Sequence, residues 1–393
     1  SQTFEIVFSN GTLNTNGQTI TSGSFTSTSG TRTLTLGASA WSCAIWNVAG
    51  TITLNADTST ITCANQFVGG GKTYYAVVLT STGNVTTGIA NDLRGANTFT
   101  NLTRTNASGY TAIELGANQT VTGTLTVTGN NANSERILVF SDTLGTQRTI
   151  TCNGTVSLTN VDFRDTVGAG TASWASGTSI GNCGNNSGIT TTTPVNRYWI
   201  GGTGTYTDTA EWSATSGGAG GATVPLPQDT AFFDANSFSG ASQIVTATIT
   251  GFRLPSLDFT GTTNTPTFDT GVSTEFTGSL TMIAALTWDD GSTQIFRPVG
   301  SRTLTVGGQT FSVDKTLDMP SGTLTMQDAY SGAQNLIITS GTFDANNFAV
   351  TTGSFQNTAS TGTTVMGSGL WTITGTSFDP AAGMTITPGT STI

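Results

Sequence analysis

The chain has 393 residues, a formal net charge of -10, 12 Lys and Arg against 22 Asp and Glu, and no His. Charged residues make up 9% of it, against roughly a quarter in an ordinary soluble domain, which leaves little to solubilise a long helical domain. The shortage of Lys and Arg also removes the electrostatic footprint of a nucleic-acid binder, and no run approaches the ~20 apolar residues of a membrane-spanning helix.

Gly, Thr, Ser and Asn fill the space that charge leaves. Gly and Asn suit turns with positive φ, and Thr suits a half-buried strand surface. Disorder is the other reading of so biased a composition. It is opposed by 35% hydrophobic residues, 20 Phe, and apolar residues that alternate with polar ones. The expected fold is all-β: a parallel β-helix (β-solenoid) in two stretches with an aromatic and Gly-rich cap or junction between them. The sequence starts without Met or a signal peptide, so it reads as a processed product or a fragment.

Residues 1–193 are expected to form the first β-helix, the latter part of a repeat unit. Phe4, Ile6 and Phe8 near its start are candidates for contacts between chain ends. Of the four cysteines, Cys43 and Cys63 lie about one coil apart, so they stack either as free thiols or as a disulfide, and Cys152 with Cys183 invites the same two readings. Without His, a zinc site is poorly supported. Gly69-Gly-Gly-Lys72-Thr73 ends like a phosphate-binding loop, but Gln66 stands where such a loop needs its first glycine, so a turn is expected. Sequons occur at Asn84, Asn101 and Asn118. Thr120 to Thr128 alternates polar and apolar residues, the mark of a strand with one buried face. Asp162 with Asp165 is a candidate carboxylate pair. Gly177-Thr-Ser-Ile-Gly181 matches G-x-S-x-G, yet no His exists to take the Ser179 proton.

Residues 194–242 break the pattern with Trp199, Trp212, a Gly-rich run from Gly217 to Gly221, and Pro225-Leu-Pro227. An aromatic plug over an exposed coil end is expected there; a ligand-facing module is the other reading. Residues 243–393 should form the second β-helix, with Arg302-Thr-Leu-Thr-Val306 and Gly322-Thr-Leu-Thr-Met326 as strands. β-Helical glycan hydrolases and lyases work with clustered carboxylates. Asp289-Asp290 and Asp314 with Asp318 are the candidates here, but Gly291-Ser-Thr after the tight pair reads as a turn. Asp234-Ala-Asn-Ser-Phe238 and Asp344-Ala-Asn-Asn-Phe348 read as related Asx turns. They lack the ligand density of a Ca²⁺ loop, so no cofactor, metal or catalytic residue is assigned.

Near the end the chain repeats itself. Asn335 to Trp371 matches Glu5 to Trp41 without gaps at Gly11/Gly341, Thr12/Thr342, Asn16/Asn346, Gly23/Gly353, Phe25/Phe355, Gly37/Gly367 and Trp41/Trp371. After a small slip, Thr58 to Ile61 matches Thr390 to Ile393. The expectation is a chain that stops inside a second copy, continued by a longer polypeptide or by a neighbouring subunit. Met384, Ile386 and Ile393 are the matching candidates for end contacts.

The segments RYWIGGTGTYTDTAEWSATSGG, PQDTAFFDANSF, SLDFTGTTNTPTF, GSRTLTVGGQTF, and GGGKTYY with ANTFTNLT resemble the large Gly/Thr-rich β-helical repeat proteins of bacteriophages and bacterial surfaces. The resemblance implies a structural, fibre-like or adhesive role, placed outside the cell, at its surface or on a virion. It brings no catalytic signature, so no functional residue carries over. The expected function is a segment of a fibre that self-associates as a filament or homo-oligomer, without enzymatic activity, nucleic acid or membrane insertion. The alternative is a glycan-binding or glycan-cleaving receptor protein of the tailspike type. In it, Trp46, Tyr74, Tyr75, Trp199 and Trp212 would stack on the rings of surface glycans. An ice- or mineral-surface binder ranks behind both, because the Thr runs are irregularly spaced.

Overall fold

The computed structural model describes residues 4–81, 91–105, 109–298, 300–356, 361–380 and 382–393. The chain is a β-solenoid of about 17 turns, 51% strand and 1% helix. Strands one coil apart pair in parallel. Among the described residues the one antiparallel strand pair joins Asn196–Trp199 to Trp212–Ser213. The chain divides into two compact units, Ser1–Thr192 and Thr193–Ile393.

Alternation builds the strands of the first unit. Along Gln119–Thr128 the side chains of Val121, Leu125 and Val127 turn inward while the threonines between them face out. Parallel pairing then sets apolar residues above one another. Ile6, Phe25, Trp46, Phe67 and Leu93 are successive register partners. Ile20, Trp41, Ile61 and Val77 line a second face, and Leu13, Leu34 and Leu54 a third. The Phe25 and Trp46 rings stack 4.5 Å apart, with Trp41 edge-on at 4.7 Å from Phe25. Such ring pairs add about 0.5–1.5 kcal/mol to what burial alone supplies.

The second unit takes in the segment expected as a junction. Asn196–Trp199 pairs in parallel with Thr230–Phe232, which pairs in turn with Ser256–Asp258. Trp199, Tyr206, Trp212 and Phe233 are fully buried. Tyr206 meets Trp212 at 4.9 Å and Phe252 at 5.1 Å, and Phe233 stacks on Phe259 at 4.4 Å. The aromatic concentration is thus the inside of the first coils of this unit, continuous with Phe268 and Trp288 above it.

The internal repeat is a repeat of register. Ile6 pairs with Phe25 as Leu336 does with Phe355. Thr12 pairs with Thr33 as Thr342 does with Thr363, and Ile20 with Trp41 as Val350 does with Trp371. The shared polar residues have a backbone reason. Gly11 and Gly341 (φ 89° and 79°), Asn16 and Asn346 (52° and 49°), and Gly37 and Gly367 (57° and 71°) all sit in the left-handed region. At Gly341 a Cβ would also collide with the Met319 carbonyl of the coil below.

Replacing Phe233, which has three aromatic neighbours closer than 6 Å, would open a cavity in the stack.

 Measured between ring centroids, these are Phe259 at 4.4 Å, Phe268 at 5.6 Å and Trp212 at 5.8 Å, with Trp199 just beyond them at 6.1 Å. Phe233→Ala is expected to cost about 3–5 kcal/mol in urea unfolding. Phe4→Ala, at a 72% exposed site, should stay within about 0.5 kcal/mol. Equal effects at the two positions would contradict the inward stacking of Phe233.

Candidate functional site

The sequence-predicted glycan platform is taken apart by the fold. Trp46, Trp199 and Trp212 are 0% exposed and Tyr74 1%, and only Tyr75, at 37%, reaches solvent. These rings are inward positions of strands, so they serve the stack and cannot lie against a sugar. Their polar atoms are spent inside as well. Trp46 donates to the Tyr74 hydroxyl, which donates to the Gly69 carbonyl, while Trp199 and Trp212 donate to the Gly202 and Tyr206 carbonyls. Of the candidate end residues, Phe4 and Ile393 are exposed. Ile6 and Phe8 pack on the core of the first unit, and Met384 and Ile386 are half-buried.

The four cysteines are free thiols, and all are buried. Cys43 and Cys63 are register partners on adjacent coils, as their spacing suggested. The hydrogen bond between the two thiols, together with burial, raises Cys43, and the same bond lowers Cys63. Cys152 and Cys183 are not stacked. Cys152 belongs to the main core, and Cys183 to a separate cluster with Ala112 and Leu138. A disulfide between them is therefore not supported by the fold.

Apart from the exposed Asp289, each carboxylate weighed for catalysis bonds a neighbouring coil. Asp289 and Asp290 face opposite ways, the first exposed and the second buried, so the tight pair of the sequence is divided by the pleat. Asp162 is paired with Arg136, both buried. Asp165 accepts from the Gly145 amide and the Asn185 side chain. Asp314 accepts from the Asn335 amide, and Asp318 from Arg297 and Ser340. Ser179 of the G-x-S-x-G match accepts from Arg136 Nη1 at 2.8 Å. Gly69 to Thr73 is a turn closed by Lys72 N–H to the Gly69 carbonyl, with Gly70 and Gly71 at positive φ. Asp234 and Asp344 accept from the amides two residues on, at Asn236 and Asn346, as Asx turns do. Among the described residues no group of three or more His, Cys, Asp or Glu could hold a metal ion. The sequon Asn84 lies outside the described residues. Asn101 and Asn118 accept from the Thr124 and Thr149 amides of other coils.

Sequence reasoning missed the charge network inside the coils. Six of the 12 basic side chains are buried: Arg32, Arg104, Arg136, Arg164, Arg253 and Lys315. Arg32 and Arg104 donate to backbone carbonyls, including those of Ala49 and Leu79, and burial pushes Arg104 down to about 10. Burial works against the Arg297 guanidinium too, but Glu275 and Asp318 outweigh it and hold the group above its usual range. Arg94 lies among Asp92, Glu114 and Asp142 at 2.6, 3.5 and 4.0 Å. Desolvation, then the nearby Asp92, raises the Glu114 carboxyl.

The most enclosed of these groups surrounds Lys315. Its Nζ lies 2.6 Å from Asp290 Oδ2, with both side chains 1% exposed, and 4.4 Å from the centre of the Phe311 ring. Burial pushes Lys315 down to about 8, opposed by the bond to Asp290. Burial also raises Tyr330, which packs against Phe311 at 5.6 Å. A shallow groove lined by Ser292, Thr293, Ser312, Val313, Asp314 and Gln334 runs beside the group. A signal for the burial was present in the sequence, since Lys315, Leu317 and Met319 alternate in one strand and share its inward face.

No protein-family model matches the chain, and no curated protein or solved structure matches it either.

Two measurements check this geometry. Asp162→Ala leaves Arg136 buried without its partner and should lose about 3–5 kcal/mol in urea unfolding, whereas Arg136→Met with Asp162→Leu should recover most of that loss. A single variant as stable as the parent would contradict the buried pair. Stacked partners one coil apart stand ~4.8 Å apart, inside the Cα range of a disulfide. Mild oxidation of the folded protein should therefore join Cys43 to Cys63 and leave Cys152 and Cys183 as thiols in peptide mapping.

Proposed function

We propose that the chain is a structural segment of an extracellular or virion-associated fibre, self-associating as a filament or homo-oligomer, and that it has no enzymatic role. The observation that carries this reading is the use made of its reactive side chains. The carboxylates, amides and guanidinium groups that would serve a catalytic site bond one coil to the next. A structure organised in this way resists extension and peeling along its axis, which is what a fibre or spacer requires. The resemblance to Gly/Thr-rich β-helical repeat proteins of bacteriophages and bacterial surfaces points in the same direction. Self-association would pair strand edges of one copy with those of another, and exposed Phe4 and Ile393 are the apolar residues that such contacts would cover.

The test is electron microscopy and sedimentation of the purified chain. Filaments or discrete oligomers are expected, and deletion of Ser1 to Ser9 should yield non-polymerising monomers. Monomers at every concentration would defeat the assembly reading, and unchanged filaments after the truncation would defeat its end-contact form. Depolymerisation of a surface polysaccharide by the same material would establish the tailspike alternative instead.

A further inference from the structure

We propose that Lys315 and Asp290 become joined by an amide bond between Nζ and Cγ, an intrachain cross-link that ties two coils of the second unit. The inference stands on the geometry around Lys315 and does not require the fibre reading.

Buried or half-buried ion pairs bridge coils at Arg136 with Asp162, at Arg297 with Glu275 and Asp318, and at Lys315 with Asp290. A guanidinium stays charged and is no nucleophile, whereas an ammonium in a desolvated site can give up its proton. Lys315 is one of two lysines in the chain, and it occupies the place where a carboxylate and an apolar wall meet. Nζ sits 2.6 Å from Asp290 Oδ2, is covered by the Phe311 ring, and is aimed by a bond to the Val313 carbonyl at 3.1 Å. The second oxygen of Asp290, Oδ1, accepts from the Ser312 hydroxyl, and the Ser312 amide is shared between the two oxygens, at 3.2 Å from Oδ1 and 3.1 Å from Oδ2. The hydroxyl, with the shared amide beside it, forms a cradle for negative charge on Oδ1.

The steps balance without an oxidant or co-reactant. In a site that penalises separated charges, the Lys315 ammonium passes one proton to the Asp290 carboxylate, leaving an amine and a carboxylic acid. The amine lone pair attacks Cγ, and the Nζ–Cγ bond forms while charge collects on Oδ1 within the Ser312 cradle. The Cγ–Oδ2 bond then breaks, and the hydroxyl leaves with a second proton from nitrogen as water. Holding both groups in contact makes the condensation intramolecular, which is where proximity gains most. The product closes a loop between residues 25 apart in sequence and pins successive coils where a hydrogen-bonded ladder alone would open.

The test is the mass of the denatured, purified wild-type chain, followed by peptide mapping. The expected result is a chain lighter than its sequence by one water, with the peptide containing Asp290 covalently bound to the one containing Lys315. Lys315→Arg should restore the full mass, and Asp290→Asn should condense with loss of ammonia in place of water. Asp290 precedes Gly291, so a succinimide at that bond would also remove water. It would keep the two peptides separate and persist in Lys315→Arg, and that pattern overturns the proposal. Full mass in the wild type, with the two peptides recovered separately, overturns it as well and leaves an ion pair only. Both readings come from the wild-type protein, so a variant that fails to fold does not decide the question.

Discussion

The parallel ladder between coils governs everything else in this protein. Because each coil lies ~4.8 Å above the last, a side chain has little choice of neighbour: it meets its register partner. Residues that tolerate their own kind at that distance accumulate, which explains the leucine file at Leu13, Leu34 and Leu54 and the ring files through Phe25, Trp46 and Phe67. Like charges at such a distance repel. Asp92 and Glu114 are register partners of this unfavourable kind, and the guanidinium of Arg94 lies between them and Asp142.

The same rule makes sense of a composition that first looks merely poor in charge. Half of the basic groups are buried, many of them on backbone carbonyls at places where the ladder turns a corner. A guanidinium offers five donors and suits such corners better than any neutral side chain. Asp162, Asp165, Asp229, Glu275 and Asp290 are buried with them, so burial withdraws the two signs almost equally and the exterior keeps the acidic balance of the whole chain, whose net charge is -10.

Much of the fold was legible because its signals are local. Alternation of apolar and polar residues, Gly and Asn at turns, and the repeat of Glu5 to Trp41 at Asn335 to Trp371 all survive without knowledge of distant contacts. The roles of particular residues were less legible because they depend on which face a side chain takes. Trp46, Tyr74, Trp199 and Trp212 look like recognition residues when counted by type, and become core when their strand parity is considered. Asp289 and Asp290 are adjacent in sequence and opposite in space for the same reason. The reason for the shared Gly and Asn of the repeat shows only in the backbone, where three such pairs occupy the left-handed region in both copies. The Lys315 environment needed the third dimension outright, since Asp290, Ser312 and Phe311 come from two different coils.

The repeat also shows where the chain tolerates a change of length. Trp41 and Trp46 are five residues apart, and the equivalent Trp371 and Phe378 are seven apart. Phe378 nevertheless stacks on Phe355 at 5.2 Å, as Trp46 stacks on Phe25 at 4.5 Å. The corner between two faces absorbs the added residues and the ladders on either side keep their pairing. A solenoid of this kind can therefore change the length of a corner by two residues and leave the stacked interior on either side as it was.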